Sequence, residues 1–165
     1  MIIVGIDPGK RGGVAILSER KVKLINTPEE PIGMADIIGS VTNSAYIEHE
    51  DLFVYIENVH AFPTDTRSSA FKFGMNYGMW WGILASYKIT PVKVHPRNWM
   101  KEYTPLPKEK LPRKRELKER GQRMYPDVKV TLITSDALLI ARYGLITEKE
   151  KENERDIKSE NTSFD

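Results

Sequence analysis

Cysteine is absent from the 165 residues. That absence excludes disulfides, thiolate metal sites and cysteine nucleophiles together, and it suits a reducing compartment. Long hydrophobic runs are missing too. No apolar segment approaches the roughly 18 residues a membrane-spanning helix needs, so no membrane partner is expected. The opening MIIVGIDPG lacks a basic flank ahead of a long apolar stretch and is not expected to act as a signal peptide. Net charge is low, with 25 Lys and Arg against 23 Asp and Glu. No internal repeat is visible. What is present, 40% hydrophobic and 29% charged residues, suits one globular domain with a sizeable core.

The charge is unevenly placed. Residues 148–165, EKEKENERDIKSENTSFD, hold seven acids and four bases, whereas residues 1–147 hold 21 bases and 16 acids. With one isoleucine and one phenylalanine the tail has little to pack, and it is expected to be disordered. The expected division is a domain over 1–147 and a charged tail over 148–165. The mildly basic domain permits a nucleic-acid partner without requiring one.

Along the chain, MIIVGID reads as a buried strand ending at Asp7, and PGKRGG as a tight turn. VAIL (14–17) and KVKLINT (21–27) predict an antiparallel meander. PEEPIG opens a loop, and MADIIGSV suggests an amphipathic helix. LFVYI (52–56) is a continuous apolar run, the pattern of a strand buried on both faces, and it ends on Glu57. From Thr66 the pattern becomes helical. ITPVKVHP (89–96) predicts another buried parallel strand, RNWMKEY a short helix and TPLPKEKLP a loop. RKRELKERGQRMY predicts a basic helix interrupted or ended near Gly121. TSDALLIARYGLI predicts a helix with Thr134 or Ser135 as N-cap and Asp136 in its first turn. This order of elements predicts an α/β layer fold with a mixed sheet.

In the helix that follows Thr66, Ala70, Gly74, Gly78, Gly82 and Ser86 recur every fourth residue, so small side chains share one face. Phe71, Met75, Met79, Trp80 and Trp81 are assigned to the opposite surface. Each helical glycine costs roughly 1 kcal/mol against alanine, so close packing is expected in return. That packing is either on the protein's own sheet or on the same helix of a second subunit.

Three carboxylates stand at element ends: Asp7, Glu57 and Asp136. Singly, Asp7 serves as a turn initiator and Asp136 as a complement to the positive helix end. A strand terminus gives Glu57 no such role. Together they describe an acidic cluster whose repulsion divalent cations neutralise, and oxygen-only ligands select Mg²⁺ or Mn²⁺ over zinc. Two such ions about 4 Å apart activate water and stabilise the leaving oxygen of a phosphodiester.

IVGIDPGKRGGVAIL, VYIENVHAF, the glycine- and aromatic-rich helix, VHPRNWMK and SDALLIARYG, taken in that order, resemble the RuvC family of Holliday-junction resolvases, especially its compact, phage-type members. The resemblance spans roughly residues 1–145. It implies an RNase H-like three-layer fold, with a mixed five-stranded sheet flanked by helices. It also implies a homodimeric, Mg²⁺-dependent crossover junction endonuclease (Mn²⁺ substituting) that acts on branched DNA, chiefly four-way junctions, in the cytoplasm of a bacterium or phage-infected host. Asp7, Glu57 and Asp136 match the family's metal-binding carboxylates, and Lys101 matches by position a lysine near the scissile phosphate. The family's fourth ligand, Asp or His, lies three to five residues before the last aspartate. Here those positions are Thr131, Leu132 and Ile133, which leaves the number of metals open.

His60 stands where the family places an aromatic probe of the junction centre, with Phe62 close behind. Arg67, Arg97, Lys108, Lys110, Arg113 and Lys114 are expected to continue from Lys101 as a cationic track for phosphates, while Lys118 and Arg120 read as a solvated helix face. Ala70, Gly74, Gly78 and Trp81 are the expected dimer contacts. His95 reads as a hydrogen-bonded packing residue, with a ligand role as the lesser reading. Two rivals stay open: a less selective nuclease of flaps, forks or RNA–DNA hybrids, and a junction-binding protein with weakened catalysis. An actin-like ATPase is the weakest reading, because the chain is too short for two lobes.

Overall fold

The computed structural model describes residues 1–19, 21–60 and 66–162. Five strands, β1 (Ile2–Asp7), β2 (Gly13–Leu17), β3 (Val22–Asn26), β4 (Leu52–Glu57) and β5 (Val92–Val94), form one sheet in the order β3-β2-β1-β4-β5. The first three make the expected antiparallel meander, and β1, β4 and β5 run parallel. Helices α1 (Pro31–Glu48) and α2 (Arg67–Ser86) cover one face. Helices α3 (Pro96–Met100), α4 (Lys110–Met124) and α5 (Ser135–Thr162) cover the other, giving three layers.

Alternation along the strands builds both cores. Ile3, Ala15, Leu17 and Tyr55 pack beneath α5, while Val4, Ile6, Val14, Val54 and Ile56 pack beneath α1 and α2. α5 lies so close to β1 that a Cβ on Gly5 would strike the Ala137 carbonyl and the Ala141 amide. Gly144 similarly admits the ring of Tyr55, 2.6 Å from where a Cβ would stand.

Several expectations are corrected. β5 is three residues long with Val92 and Lys93 exposed, not a buried run over 89–96. It is an edge strand, and Pro91 just before it has no amide proton for a ladder bond. α4 passes through Gly121 without a break, because that glycine packs against Leu138 and Val130 of the neighbouring segment. Thr134 stands at the N-cap position of α5 as expected, its carbonyl accepting from the Leu138 amide at 3.0 Å, while its Oγ1 accepts from the Thr131 amide and Ser135 Oγ donates to Asp136 at 3.2 Å. α5 runs as helix from Ser135 to Thr162, into the charged segment that begins at residue 148. Glu148 is buried, accepts the Tyr55 hydroxyl at 2.5 Å and pairs with Lys151 at 2.8 Å. The packed first half of α5 supplies the helical nucleus from which the charged half propagates.

Candidate active site

Topology decides where the acids meet. β1 and β4 are parallel with Ile6 opposite Ile56, so the next residues, Asp7 and Glu57, leave the sheet at one edge. α5 packs along β1 and β2 and carries Asp136 in its first turn.

The electrostatics show that these groups sense one another. Burial, followed by the charges of Asp136 and Glu57, pushes the Asp7 carboxyl well above its ordinary range, and Lys114 pulls the other way. Burial also raises Glu57, with Asp136 adding to the effect. The Trp99 indole opposes it by donating Nε1–H to Glu57 Oε1 at 2.9 Å, as does the charge of Lys114. Burial disfavours the ammonium of Lys114, yet Asp136, Asp7 and Glu57 outweigh that and hold its pKa above the ordinary lysine value. Lys114 Nζ lies 3.1 Å from Asp136 Oδ2.

Lys114 therefore sits among the acids rather than on an open phosphate track. The helical spacing carried a signal for this: Leu117 and Gly121, three and seven residues on, are buried against α5, so Lys114 shares the inward face of α4. Trp99 was missed for the opposite reason. Nothing in RNWMKEY indicates that its one indole reaches back across β5 to Glu57.

Among the described residues, no three of Asp, Glu and His converge closely enough to grip one metal ion in this arrangement. The partners explain it: Asp136 is turned toward Lys114 and Ser135, and Glu57 toward Trp99. The donor chemistry still fits a hard divalent cation. It is all carboxylate and desolvated, and a single ammonium offsets three acids. At the positions of the family's fourth ligand, Thr131 is occupied with Thr134, their hydroxyls 3.0 Å apart, and Leu132 and Ile133 offer no donor side chain.

Other expected residues are placed as follows. His95 Nε2 accepts from Asn58 Nδ2 at 3.0 Å, the hydrogen bond expected of it, but the ring is exposed rather than packed. His60 and Lys110 join Glu57, Asn58, Ser69 and Phe73 around a groove of about 390 Å³. Phe62 lies outside the described residues. Lys101 and Arg97 are exposed on the α3 segment, and Lys101 is not among the charges that shift Asp7 or Glu57. Arg67 is exposed in the first turn of α2. Lys108 is exposed, and its carbonyl accepts from Arg113 Nη1 at 2.8 Å, which ties that guanidinium to its own loop.

On α2, nothing lies within 4 Å of a Cβ placed on Gly74, Gly78 or Gly82. Phe71 and Met75 are exposed on that same outward surface, against expectation. Ala70 is half-buried. Trp81 turns inward instead, edge-on to Tyr77 and beneath Lys93 Nζ at 4.8 Å from the ring centre.

No family model matches the chain, and no curated protein sequence matches it. Solved structures do. Thermus thermophilus RuvC superposes with a TM-score of 0.60 at 16% identity, covering 92% of this chain and 97% of that one. A structure of T. thermophilus RuvC in complex with a Holliday junction substrate gives 0.59 at 16% identity, covering 91% and 96%. The mixed five-stranded sheet with its flanking helices is the RuvC fold, an RNase H-like α/β architecture.

Proposed function

We propose that this chain is a metal-dependent endonuclease that resolves four-way DNA junctions by paired phosphodiester cleavage. The observation that carries the proposal is that β1, β4 and α5 bring Asp7, Glu57 and Asp136 to one edge of a RuvC-type sheet. Asp7, Glu57 and Asp136 would hold Mg²⁺ or Mn²⁺. Such an ion, when bound, polarises a phosphoryl oxygen and lowers the pKa of a water nucleophile. Trp99 fixes the rotamer of Glu57 through its indole N–H, as outer partners of metal ligands do. Lys114 keeps the acids compatible with one another before metal arrives, and its ammonium is then placed to stabilise phosphate charge. Lys110 and His60 line the groove beside Glu57 and are assigned to the DNA strand. Lys101, Arg97, Arg67, Lys108 and Arg113 are assigned to phosphates farther out.

A homodimer through the open glycine face of α2, with Phe71 and Met75, would present one site to each of two equivalent strands. The reading places the protein with DNA in a bacterial or phage-infected cytoplasm. One observation favours a second reading, a junction-binding protein that cuts weakly: residues 131–133 offer no fourth carboxylate or imidazole.

The test is a labelled immobile four-way junction, with and without Mg²⁺ or Mn²⁺, beside duplex, flap and RNA–DNA hybrid controls. Paired symmetric nicks that vanish in Asp7→Asn are expected. Equal cutting of flaps and junctions would replace junction resolution with general branched-DNA cleavage. Tight junction binding with no cutting would establish the second reading.

A further inference from the structure

A cavity of about 300 Å³ opens between α4, α5 and the turn that follows α3. Its lining carries three arginines, Arg120, Arg123 and Arg142, against one acid, Glu102. Arg120 and Arg142 stand six residues beyond Lys114 and Asp136 on their helices, which is about 9 Å along each axis. The cavity shares no lining residue with the groove beside Glu57. It is a separate place from the acid cluster.

The three guanidiniums are held differently. Arg120 is pinned: Nε donates to Glu116 at 2.7 Å, Nη1 to the Tyr103 carbonyl and Nη2 to the Pro105 carbonyl at 3.1 Å. Three of its five donors are thereby engaged, and its work is to hold the 103–105 turn against α4. Arg123 reaches the same Glu116 only at 3.7 Å, and its side chain is 65% exposed. Arg142 is half-buried on α5 and pairs with no carboxylate among the described residues. Burial pushes the Tyr103 phenol up to about 12, and the charge of Arg142 beside it works the other way. The Tyr103 hydroxyl is sealed from solvent and is assigned no contact with a ligand. Arg123 and Arg142 therefore have donors to spare at the mouth of one recess.

A guanidinium fork matches the oxygens of a phosphate or carboxylate in pairs. Met124 and Ile146 flank the arginines and favour an anion that carries an organic body over a bare ion. The volume sits at the small end of ligand pockets, which suits one small molecule rather than a duplex. We infer that this cavity binds a small phosphomonoester of the nucleotide class, its phosphate on Arg123 and Arg142 and its body against Met124 and Ile146. A phosphate monoester carries about −1.5 to −2 charges at pH 7, so it meets two guanidiniums where a carboxylate meets one. The exposed plane of Arg123 adds a face on which a base stacks. The site uses neither the three acids nor a metal, so it stands or falls apart from the nuclease reading. It is also one ring away from the cutting site: Tyr103 lies edge-on to Trp99, with ring centres 6.4 Å apart, and Trp99 holds Glu57.

The experiment is a calorimetric titration of the full chain with 2′-deoxyadenosine 5′-monophosphate. EDTA is present throughout, so that no divalent ion bridges the nucleotide to the acids. Saturable binding of one nucleotide per chain is expected, weaker with inorganic phosphate and absent with deoxyadenosine. Arg123→Gln and Arg142→Gln, each checked by melting temperature, should each weaken binding at least about tenfold, the effect of one charge-assisted contact. Arg123 is exposed, so its variant reads the contact without disturbing the core. Binding of the nucleotide should be unchanged in Asp7→Asn. No binding of the nucleotide, or binding that survives both arginine variants, would overturn the site. Binding lost in Asp7→Asn would move the nucleotide to the acids and overturn it too. Succinate binding as tightly as the nucleotide would overturn the preference for phosphate.

Discussion

Replacing Lys114 with Met removes the ammonium that pairs with Asp136 among the described residues while keeping most of the side-chain volume. At 3.1 Å and an effective dielectric constant of roughly 20, the attraction alone is about 5 kcal/mol. Lys114 is 31% exposed and Asp136 13%, so solvent screening and the desolvation already spent reduce the net loss to about 1–3 kcal/mol. For a chain of this length that corresponds to a fall of roughly 3–10 °C in melting temperature.

The deficit depends on pH in a defined sense. Asp7 and Glu57 have folded-state pKa values above their ordinary ones. The stability they contribute is present below the usual carboxylate range and is lost as pH rises through the raised values. Lys114, raised in turn, contributes fully below the usual lysine value and offsets the ionised acids across that window. The Lys114→Met variant should therefore melt close to wild type in acid and fall progressively below it toward neutrality. Mg²⁺ should restore the variant and raise its melting temperature more than that of wild type, because no ammonium has to be displaced. Scanning calorimetry at several pH values, with Mg²⁺ and with EDTA, measures all of this. A variant that melts at the wild-type temperature throughout, or that gains nothing extra from Mg²⁺, would refute the placement of Lys114 as the internal counter-charge of a metal site.

Trp99→Phe keeps the buried ring and removes the hydrogen bond to Glu57. It should weaken Mg²⁺ binding by roughly 10–100-fold, read as a shift in the metal concentration needed for half-maximal cutting; an unchanged metal dependence would remove Trp99 from the positioning of Glu57. Gly5→Ala forces a methyl into the backbone of α5 and should cost about 1–3 kcal/mol or more by urea denaturation, with wild-type stability as the contrary result. Gly78→Ala meets open space and should stabilise an isolated subunit by about 1 kcal/mol. If the glycine face is a dimer contact, sedimentation at graded concentrations should show the larger Gly78→Leu dissociating it, and no change in assembly would exclude that face.

Much of the fold was legible because its signals are local. MIIVGID and LFVYIE are buried runs bounded by turns, and small-residue and DALLIA spacings mark helices. The elements that were misread were decided by neighbours. Pro91 and the sheet edge shortened β5, and the close approach of α5 held Gly121 within α4.

The same division runs through the candidate site. The sequence by itself determined which acids stand at element ends, because a carboxylate closing an apolar strand is costly wherever it goes. It also determined that no thiol takes part and that Thr131, Leu132 and Ile133 supply no fourth acidic ligand. Only the tertiary structure decided that Lys114 and Trp99 reach those acids, that Lys101 stays outside them, and that the glycines of α2 face outward. These are relations between residues far apart in the chain. They depend on how α4 and α3 lie against the sheet and on which face of α2 is buried, and no local periodicity specifies a distance across two elements.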